Sequence, residues 1–317
     1  DHLLDLLDQV ADRFDHAPAL LVRHDSGFAH VSAVGLRDRA RATARRLYQA
    51  GVRPGDRVIL SGRNHPDWVV AYFGILAAGG VAVPLDPTLD QADVQRLLVA
   101  AGAGVAVLGR CDFSCGTATT LDLEVATAPG LPIDDVHSPV GSDPASILYT
   151  SGTTGTPKGV VLTHANLCSM LGSLGRLFEL GPNDRVLSVL PLHHTFEFSC
   201  GLLLPLSQGA RIVYLDEVSA DGLSATLKDG RITAMVGVPA LWQLLERRIS
   251  AQVHDRGGAF QTVFDGGLEL NRLLGKRAGL DVGRLLFGQV HSGLGGNIRM
   301  LISGGAALPV ETHRFFA

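Results

Sequence analysis

The sequence is short of lysine and of formal charge. Only three of its 27 basic residues are lysines, at Lys158, Lys228 and Lys276. Charged residues make up 18% of the 317 positions, the net charge is −4, and no segment carries a block of one sign. A dedicated nucleic-acid-binding protein needs a concentrated basic surface, so we expect no nucleic-acid partner. Because lysine is scarce, each lysine is a candidate functional residue.

Cysteine is too sparse to build a framework of disulfides or metal sites. The four cysteines are Cys111, Cys115, Cys168 and Cys200, and no second pair of Cys or His stands at a zinc-site spacing from the first two. We recognise no signal peptide or lipidation motif. We therefore expect a cytoplasmic protein with reduced thiols.

Long uninterrupted apolar runs are also missing. Two charge-free stretches, Trp68–Leu85 and Phe198–Ala210, approach the length of a membrane span, but glycines and prolines interrupt both. A transmembrane helix needs about 20 consecutive apolar residues, so we predict buried helix-turn-strand units and no transmembrane segment. Peripheral contact with a membrane stays open.

Helical and strand patterns alternate along most of the chain, which contains 38 glycines. Such alternation predicts parallel βαβ units with both sheet faces covered. We predict an α/β fold with two doubly wound, mostly parallel sheets and helices packed on and between them. The pattern fails between Gly109 and Pro144, which predicts a linker and a division into subdomains 1–140 and 141–317. A first helix is predicted where apolar residues recur at Leu3, Leu4, Leu7 and Val10. Further helices are predicted over 34–51, 64–78, 91–101, 165–178, 196–207, 220–228 and 239–249. Predicted strands cover 81–84, 105–108, 146–149, 185–189, 211–214, 234–237 and 298–302.

The segment Tyr149-Thr-Ser-Gly-Thr-Thr-Gly-Thr-Pro-Lys-Gly159 follows a predicted strand and precedes a predicted helix. Its three glycines permit a tight loop whose backbone N–H groups face an anion, and Lys158 adds a cation. The loop also offers the hydroxyls of Thr150, Ser151, Thr153, Thr154 and Thr156. These donors suit a polyphosphate, the alternative being a plain surface loop. The spacing of Gly152, Gly155 and Lys158 does not fit a Walker A loop, which disfavours a P-loop kinase or ATPase.

Together with Val160-Val-Leu-Thr-His-Ala-Asn-Leu167, this segment resembles the phosphate-loop signature of the adenylate-forming superfamily. That superfamily contains acyl-CoA synthetases, fatty acyl-AMP ligases, the adenylation domains of peptide synthetases and firefly-type luciferases. Further segments resemble it in the same order, so the resemblance covers nearly the whole chain. They are Gly55-Asp-Arg-Val58, Asn64 and Leu76–Pro87, which we assign to packing and turns, and Pro191-Leu-His-His194, Gly237-Val-Pro239 and Ser303-Gly-Gly-Ala-Ala307.

The resemblance assigns roles to individual residues. It implies that ATP phosphates bind Thr150, Ser151, Gly152, Thr153, Thr154, Gly155 and Lys158, and that adenine lies against Ser303, Gly304, Gly305, Ala306 and Ala307. Lys158 and His194 are the implied catalytic residues. An imidazole at His194, near the substrate carboxylate and the α-phosphate, offsets charge as two anions approach. His193 falls on a more variable position, and Thr154 is a weak candidate for contact with Mg²⁺.

The resemblance also indicates the kind of acid that binds. Phe198 falls where long-chain synthetases carry an aromatic gate to the acyl tunnel, and Gly237 and Val238 fall on the pocket wall. No acid occupies residues 193–196, where peptide-synthetase domains place the aspartate that holds a substrate ammonium. These features imply a medium- or long-chain fatty acid rather than an amino acid. Glu197 has two interpretations: a carboxylate at a helix start, which we favour, or a partner for a histidine.

The implied reaction is attack of the carboxylate on Mg-ATP, followed by transfer of the acyl group to the thiol of CoA or of the phosphopantetheine on an acyl carrier protein. Family members continue through a Mg²⁺-binding glutamate, a ribose-binding aspartate and a C-terminal lysine. We therefore expect residues 1–317 to be the N-terminal part of such an enzyme, inactive alone and prone to self-association. Two rival functions are a non-catalytic nucleotide-binding or interaction module and a phosphotransferase.

Overall fold

The computed structural model describes residues 2–24, 26–116, 118–133, 136–150, 158–215, 220–255 and 295–316. The strands are β1 (Pro18–His24), β2 (Gly27–Ser32), β3 (Arg57–Ser61), β4 (Val81–Leu85), β5 (Val105–Leu108), β6 (Thr119–Asp122), β7 (Pro144–Thr150), β8 (Lys158–Thr163), β9 (Arg185–Ser188), β10 (Arg211–Leu215), β11 (Ala234–Gly237) and β12 (Met300–Ser303). The helices are α1 (Leu3–Phe14), α2 (Ala33–Gln49), α3 (Pro66–Ala77), α4 (Gln91–Ala101), α5 (Leu123–Thr127), α6 (His164–Leu177), α7 (Leu204–Ser207), α8 (Ala220–Asp229), α9 (Pro239–Asp255) and α10 (Val310–Phe316), with a π-helix over Glu197–Leu203.

The chain consists of two compact units. The larger contains residues 1–184 and 188–216, and the smaller contains residues 185–187 and 217–317. The division into 1–140 and 141–317 stays a prediction. The strands form two mixed six-stranded sheets accompanied by helices, so the predicted α/β class is confirmed.

One sheet lies wholly in the larger unit, with strand order β6-β5-β3-β4-β7-β8. Every neighbouring pair is parallel except β7 and β8, which are antiparallel. All residues of β4 and β5 are buried, as expected for parallel strands covered on both faces. This is why short apolar runs predicted these strands correctly.

The predicted linker between Gly109 and Pro144 is wrong in part. Strand β6 pairs in parallel with β5, and helix α5 follows it directly. Asp122 begins that helix, because its side chain accepts a hydrogen bond from the N–H of Val125 at 3.1 Å. Both elements are short, and β6 is largely exposed, so neither produces a hydrophobic period that the sequence reveals.

The other six strands divide between the two units, three in each. In the larger unit, β1 pairs in parallel with β10 and antiparallel with β2. In the smaller unit, β11 lies between β9 and β12 and is parallel to both. The hairpin of β1 and β2 was not predicted, because no residue of β2 is buried and the strand therefore has no buried face.

Helix α3 forms the centre of the larger unit's core. Apart from Asp67, every residue of Pro66–Ala77 is buried. His65 precedes the helix and accepts a hydrogen bond from the N–H of Asp67 at 3.2 Å, and Pro66 occupies the first turn. The charge-free stretch from Trp68 is therefore a buried helix followed by a strand. Within the described ranges, no helix has the length and apolar character that crossing a membrane requires.

A buried histidine connects α1 to α6. The Nδ1 atom of His164 accepts a hydrogen bond from the N–H of Leu3 at 3.2 Å, and the residue is 2% exposed. Burial lowers the pKa of His164 to about 4, His2 acts in the same direction, and Asp143 opposes them. The neutral ring is required here, because a protonated Nδ1 cannot accept a hydrogen bond.

We expect the free energy of unfolding to fall as the pH falls from 6.5 toward 4, because the unfolded chain lets His164 take up a proton that the folded chain resists. The loss should be on the order of 1–3 kcal/mol. His164→Gln keeps an acceptor that does not titrate, so it should flatten this part of the curve. Denaturant unfolding at closely spaced pH values measures the slope, with the exposed His30→Gln as control. A slope that His164→Gln leaves unchanged would contradict the assignment.

Candidate functional site

Two antiparallel strands frame the phosphate loop. The register of β7 and β8 sets Thr150 opposite Lys158, and Lys158 is exposed. The loop residues Ser151, Gly152, Thr153, Thr154 and Gly155 lie outside the described residues, and their phosphate contacts stay predictions. The sequence predicted a helix over 165–178 after the loop, which α6 matches, but no strand between the two. Instead β8 comes first, because Val160 and Val161 favour extended backbone, and α6 begins at His164.

The side chain of Asn64 fixes the loop that precedes the histidine pair. Its Nδ2 donates to the carbonyl oxygen of Leu190 at 2.6 Å and to Oγ of Ser188 at 3.3 Å. Its Oδ1 accepts a hydrogen bond from the N–H of Leu192 at 3.0 Å. One amide thus satisfies a donor and two acceptors of the same loop. Sequence reasoning assigned Asn64 to packing and missed this positioning role.

The two histidines that follow the loop differ in exposure. His194 is exposed, and its N–H donates to the carbonyl oxygen of Pro191 at 3.1 Å. The carbonyl oxygen of His194 accepts a hydrogen bond from the N–H of Phe198 at 3.0 Å. The side chain of His193 is only 10% exposed. The two ring centroids are 4.3 Å apart, and the ring planes are inclined by 55°.

Asp86, the first residue after β4, is the acid beside the histidine pair. Its Oδ2 lies 3.7 Å from Nε2 of His193. Burial and the neighbouring His194 lower the pKa of His193 to about 4, against the effect of Asp86. Burial raises the pKa of Asp86, but hydrogen bonds from Thr88 and the two histidines outweigh it and lower the pKa overall. At neutral pH the contact therefore joins a carboxylate to a neutral imidazole.

The contact between Asp86 and His193 was not predicted from the sequence. We had assigned Leu76–Pro87 to packing and turns, and Glu197 was the acid considered as a partner for a histidine. The available signal was an acid directly after a buried parallel strand, where open α/β folds place ligand-binding residues.

Glu197 begins the π-helix, yet its side chain is fully buried. Neither carboxyl oxygen has a hydrogen-bond partner within the part of the chain that the structure describes. The carboxyl folds over Gly201, where a Cβ would lie 2.2 Å from Oε1, so a side chain at that position would force the Glu197 carboxyl to move. Burial raises the pKa of Glu197 to about 8, with the nearby Ser188 hydroxyl opposing. Glu197 therefore stands at a helix start, as we favoured, but as a protonated core residue at neutral pH.

Phe198 packs into the aromatic part of the core. It is 5% exposed, and its ring centroid lies 4.7 Å from that of Tyr72 and 6.3 Å from that of Trp68. Tyr72 in turn hydrogen-bonds through its hydroxyl to Ser146 at 2.7 Å. These contacts attach the start of the π-helix to α3. The role of Phe198 as an acyl gate stays a prediction.

In the smaller unit, the predicted pocket wall and the predicted adenine loop are neighbours. The parallel register of β11 and β12 sets Gly237 opposite Ser303, and the N–H of Gly304 donates to the carbonyl oxygen of Gly237 at 3.2 Å. A Cβ on Gly237 would lie 2.5 Å from Cζ2 of Trp242, which explains the glycine. Val238 is half-buried, and the exposed residues are Ser303, Gly305, Ala306 and Ala307. Both segments follow the carboxyl ends of parallel strands, where such folds bind ligands.

The described ranges contain no cluster of side chains that could bind a metal ion. No group of three His, Cys, Asp or Glu residues there is placed to hold an ion. The weak Mg²⁺ candidate, Thr154, lies outside those ranges. All four cysteines are free thiols.

Comparison with known proteins gives consistent matches. Residues 7–317 match the family described as AMP-binding enzyme. Long-chain-fatty-acid–CoA ligase 4 of Saccharomyces cerevisiae is 35% identical over 189 residues, which cover 58% of this chain and 27% of the ligase. A feruloyl-CoA synthase of Amycolatopsis is 32% identical over 236 residues, covering 73% of this chain and 47% of the synthase. The crystal structure of the nonribosomal peptide synthetase FmoA3 with AMPPNP bound has a TM-score of 0.67 at 28% identity, covering 82% of this chain and 27% of that one.

The fold and these matches define a member of the adenylate-forming superfamily. Within it, the chain belongs to the AMP-binding enzyme family. It spans about a quarter to a half of the length of the two curated relatives.

The buried Glu197 predicts a pH effect on stability. Its folded-state pKa of about 8 exceeds the ordinary value of 4.5, so folding is opposed increasingly as the pH rises between those values. Glu197→Gln should raise the free energy of unfolding at pH 7 by up to about 3 kcal/mol and flatten its pH dependence. Denaturant unfolding of both proteins from pH 4.5 to 8 measures this. The exposed Glu124→Gln is the matched control, and equal slopes in all three proteins would contradict the assignment.

Proposed function

We propose that the enzyme to which this chain contributes activates a fatty acid with ATP and transfers the acyl group to the thiol of CoA or of an acyl carrier protein. The observation that carries the proposal is the match of residues 7–317 to the AMP-binding enzyme family. Similarity to a long-chain-fatty-acid–CoA ligase supports the class of acid, and similarity to a CoA synthase supports the acceptor. Similarity to a peptide synthetase supports the carrier-protein alternative.

In the first step, a carboxylate oxygen forms a bond to the α-phosphorus of ATP, and the bond to pyrophosphate breaks. In the second, the thiol sulfur attacks the acyl carbon and AMP leaves. Both reactants of the first step are anions, so the protein must hold them together and offset their charge. Lys158 suits the phosphates as an exposed cation at the end of the glycine-rich loop. His194 suits the carboxylate, since it is exposed and its backbone is fixed on both sides.

The remaining assignments follow the family motifs. We assign Thr150, Ser151, Thr153 and Thr154 to the phosphates and Ser303–Ala307 to adenine, because small exposed residues after β12 leave room for a flat ring. Phe198, Gly237 and Val238 are assigned to the acyl chain. Mg²⁺, when bound, neutralises phosphate charge, and Thr154 is the residue we assign to it.

Location and completeness are part of the proposal. The free thiols fit a cytoplasmic protein, and a lipid substrate fits peripheral contact with a membrane. Residues 1–317 do not contain three segments of the family pattern. These segments supply the Mg²⁺-binding glutamate, the ribose-binding aspartate and the C-terminal lysine. We therefore propose that residues 1–317 alone do not adenylate and that they self-associate.

Lys158→Ala should cost about 1.5–3 kcal/mol of transition-state stabilisation in the complete enzyme, the range for a hydrogen bond to a charged group. This corresponds to a loss of roughly tenfold to a hundredfold in kcat/KM for ATP. Pyrophosphate release that depends on an added fatty acid is the measurement, and the exposed Lys228→Ala is the matched control.

Each outcome of that experiment has a distinct meaning. An unchanged kcat/KM in Lys158→Ala would remove the loop lysine from the mechanism. Nucleotide binding without turnover would favour the non-catalytic module, and formation of ADP would favour a phosphotransferase. Robust pyrophosphate release by residues 1–317 alone would contradict the proposed division of the active site.

The length of the acid gives an independent test. Each buried CH₂ contributes up to about 0.8 kcal/mol, so kcat/KM should rise up to about fourfold per added carbon until the tunnel is full. A pyrophosphate-release series from acetate to palmitate measures this, with ferulate and an amino acid included. A best substrate that is short, aromatic or amino-substituted would contradict the assignment of a fatty acid.

A further inference from the structure

An acid and a buried histidine from distant parts of the sequence meet beside His194. Asp86 follows β4, and His193 lies in the turn that leads into the π-helix. Oδ2 of Asp86 lies 3.7 Å from Nε2 of His193. Oδ1 of the same carboxylate accepts hydrogen bonds from the N–H and the hydroxyl of Thr88 at 2.8 and 2.7 Å. Thr88 thus holds the carboxylate in place near the imidazole.

The imidazole lacks the partner that its burial calls for. Nε2 of His193 is buried, and no atom of the described residues forms a hydrogen bond with it. A buried polar atom without a partner is unfavourable, so each such atom calls for an explanation. A separation of 3.7 Å is longer than a hydrogen bond. Hydrogen bonds of catalytic groups are often long in free enzymes and shorten when the substrate binds.

The ring of His193 also contacts the group that it can orient. Its centroid lies 4.3 Å from that of His194. The backbone of His194 is held by its hydrogen bonds to Pro191 and Phe198. The side chain of His194 is exposed, and the ring of His193 is a contact that limits its rotation. A fixed His193 therefore restricts the directions in which His194 can point.

The protonation state of His193 suits this role. Burial and His194 lower its pKa to about 4, so the ring is neutral at neutral pH and carries one proton on either nitrogen. A carboxylate beside Nε2 favours the tautomer with the proton on Nε2, because that tautomer donates to the carboxylate.

We propose that Asp86 and His193 are positioning residues for the adenylation step. When substrate binds, the 3.7 Å separation shortens so that Asp86 accepts a hydrogen bond from Nε2–H of His193, and the oriented ring of His193 holds His194 toward the reacting carboxylate. This inference rests on the proposed function, because it takes His194 to be the residue that meets the carboxylate. It adds to the site an acid from the end of β4, outside the motif that contains the histidines.

The pairing of Asp86 with His193 is tested first without any assay of activity. In protein labelled with ¹⁵N-histidine, the imidazole signals of His193, assigned by their loss in His193→Gln, should show the Nε2–H tautomer. Asp86→Asn should move the population toward the Nδ1–H tautomer. Asp90→Asn is the matched control, because it removes the same charge four residues away and keeps a side chain that caps α4. An unchanged tautomer in Asp86→Asn would overturn the pairing.

The positioning role is tested in the complete enzyme by pyrophosphate release. Asp86→Asn and His193→Gln should lower kcat by about tenfold to a hundredfold, the effect of a small misplacement, with the KM values for ATP and acid within about twofold. Asp90→Asn and the exposed His30→Gln should retain kcat. Melting temperatures compare the folding of all variants. Should His193→Gln fail to fold, Asp86→Asn carries the test, since that side chain is 40% exposed.

The outcomes separate this inference from the proposed function. If Asp86→Asn lowers kcat no more than Asp90→Asn does, the positioning role is overturned and the proposed adenylation reaction still stands. A loss that lies entirely in KM would also overturn it. No pyrophosphate release from the unmutated enzyme would contradict the proposed function and the role of His194. The tautomer measurement still decides in that case whether Asp86 and His193 are paired.

Discussion

The hydrogen bonds of the Asn64 amide are the contact on which the histidine loop depends. Asn64 lies between β3 and α3, and its partners lie 124 to 128 residues further along the chain. Because Leu190 and Leu192 are held by one rigid side chain, the turn that carries His193 and His194 begins from a fixed point. A flexible loop would have to lose conformational entropy each time a substrate bound. The amide removes that cost when the protein folds.

Several buried polar side-chain atoms form no hydrogen bond with the described residues. Nε2 of His193, both carboxyl oxygens of Glu197 and the hydroxyl of Tyr214 are buried without a hydrogen bond to the described residues. Burial raises the pKa of Tyr214, and Glu197 acts in the same direction. Such groups reduce stability, and strongly shifted pKa values are more frequent at functional sites than elsewhere. Two of these groups, on His193 and Glu197, lie within three residues of His194 along the chain.

The sequence predicted elements with a strong local period and missed those without one. Helix α4 and strand β5 have the predicted bounds, because apolar residues recur at the spacing that each element requires. The hairpin of β1 and β2 was missed because β2 has no buried residue. Motifs made Lys158 and His194 candidates, since a motif is a local pattern, and their roles stay predictions. The contacts of Asn64 and Asp86 join residues more than 100 positions apart. A local sequence pattern cannot predict such long-range pairs.

The π-helix gives the protein a way to change the path of its backbone beside the histidine pair without exchanging a single side chain. The N–H of Leu204 donates to the carbonyl oxygen of Ser199, five residues earlier, where an α-helix would reach back four. One residue is therefore surplus to an α-helical path between Glu197 and Leu203. Its deletion in a descendant would let the segment adopt α-helical pairing, and the following side chains would keep their directions because the wide turn already absorbs the extra residue. A single-residue deletion in this segment would therefore change the wide turn beside the histidine pair and leave the helix that follows in place.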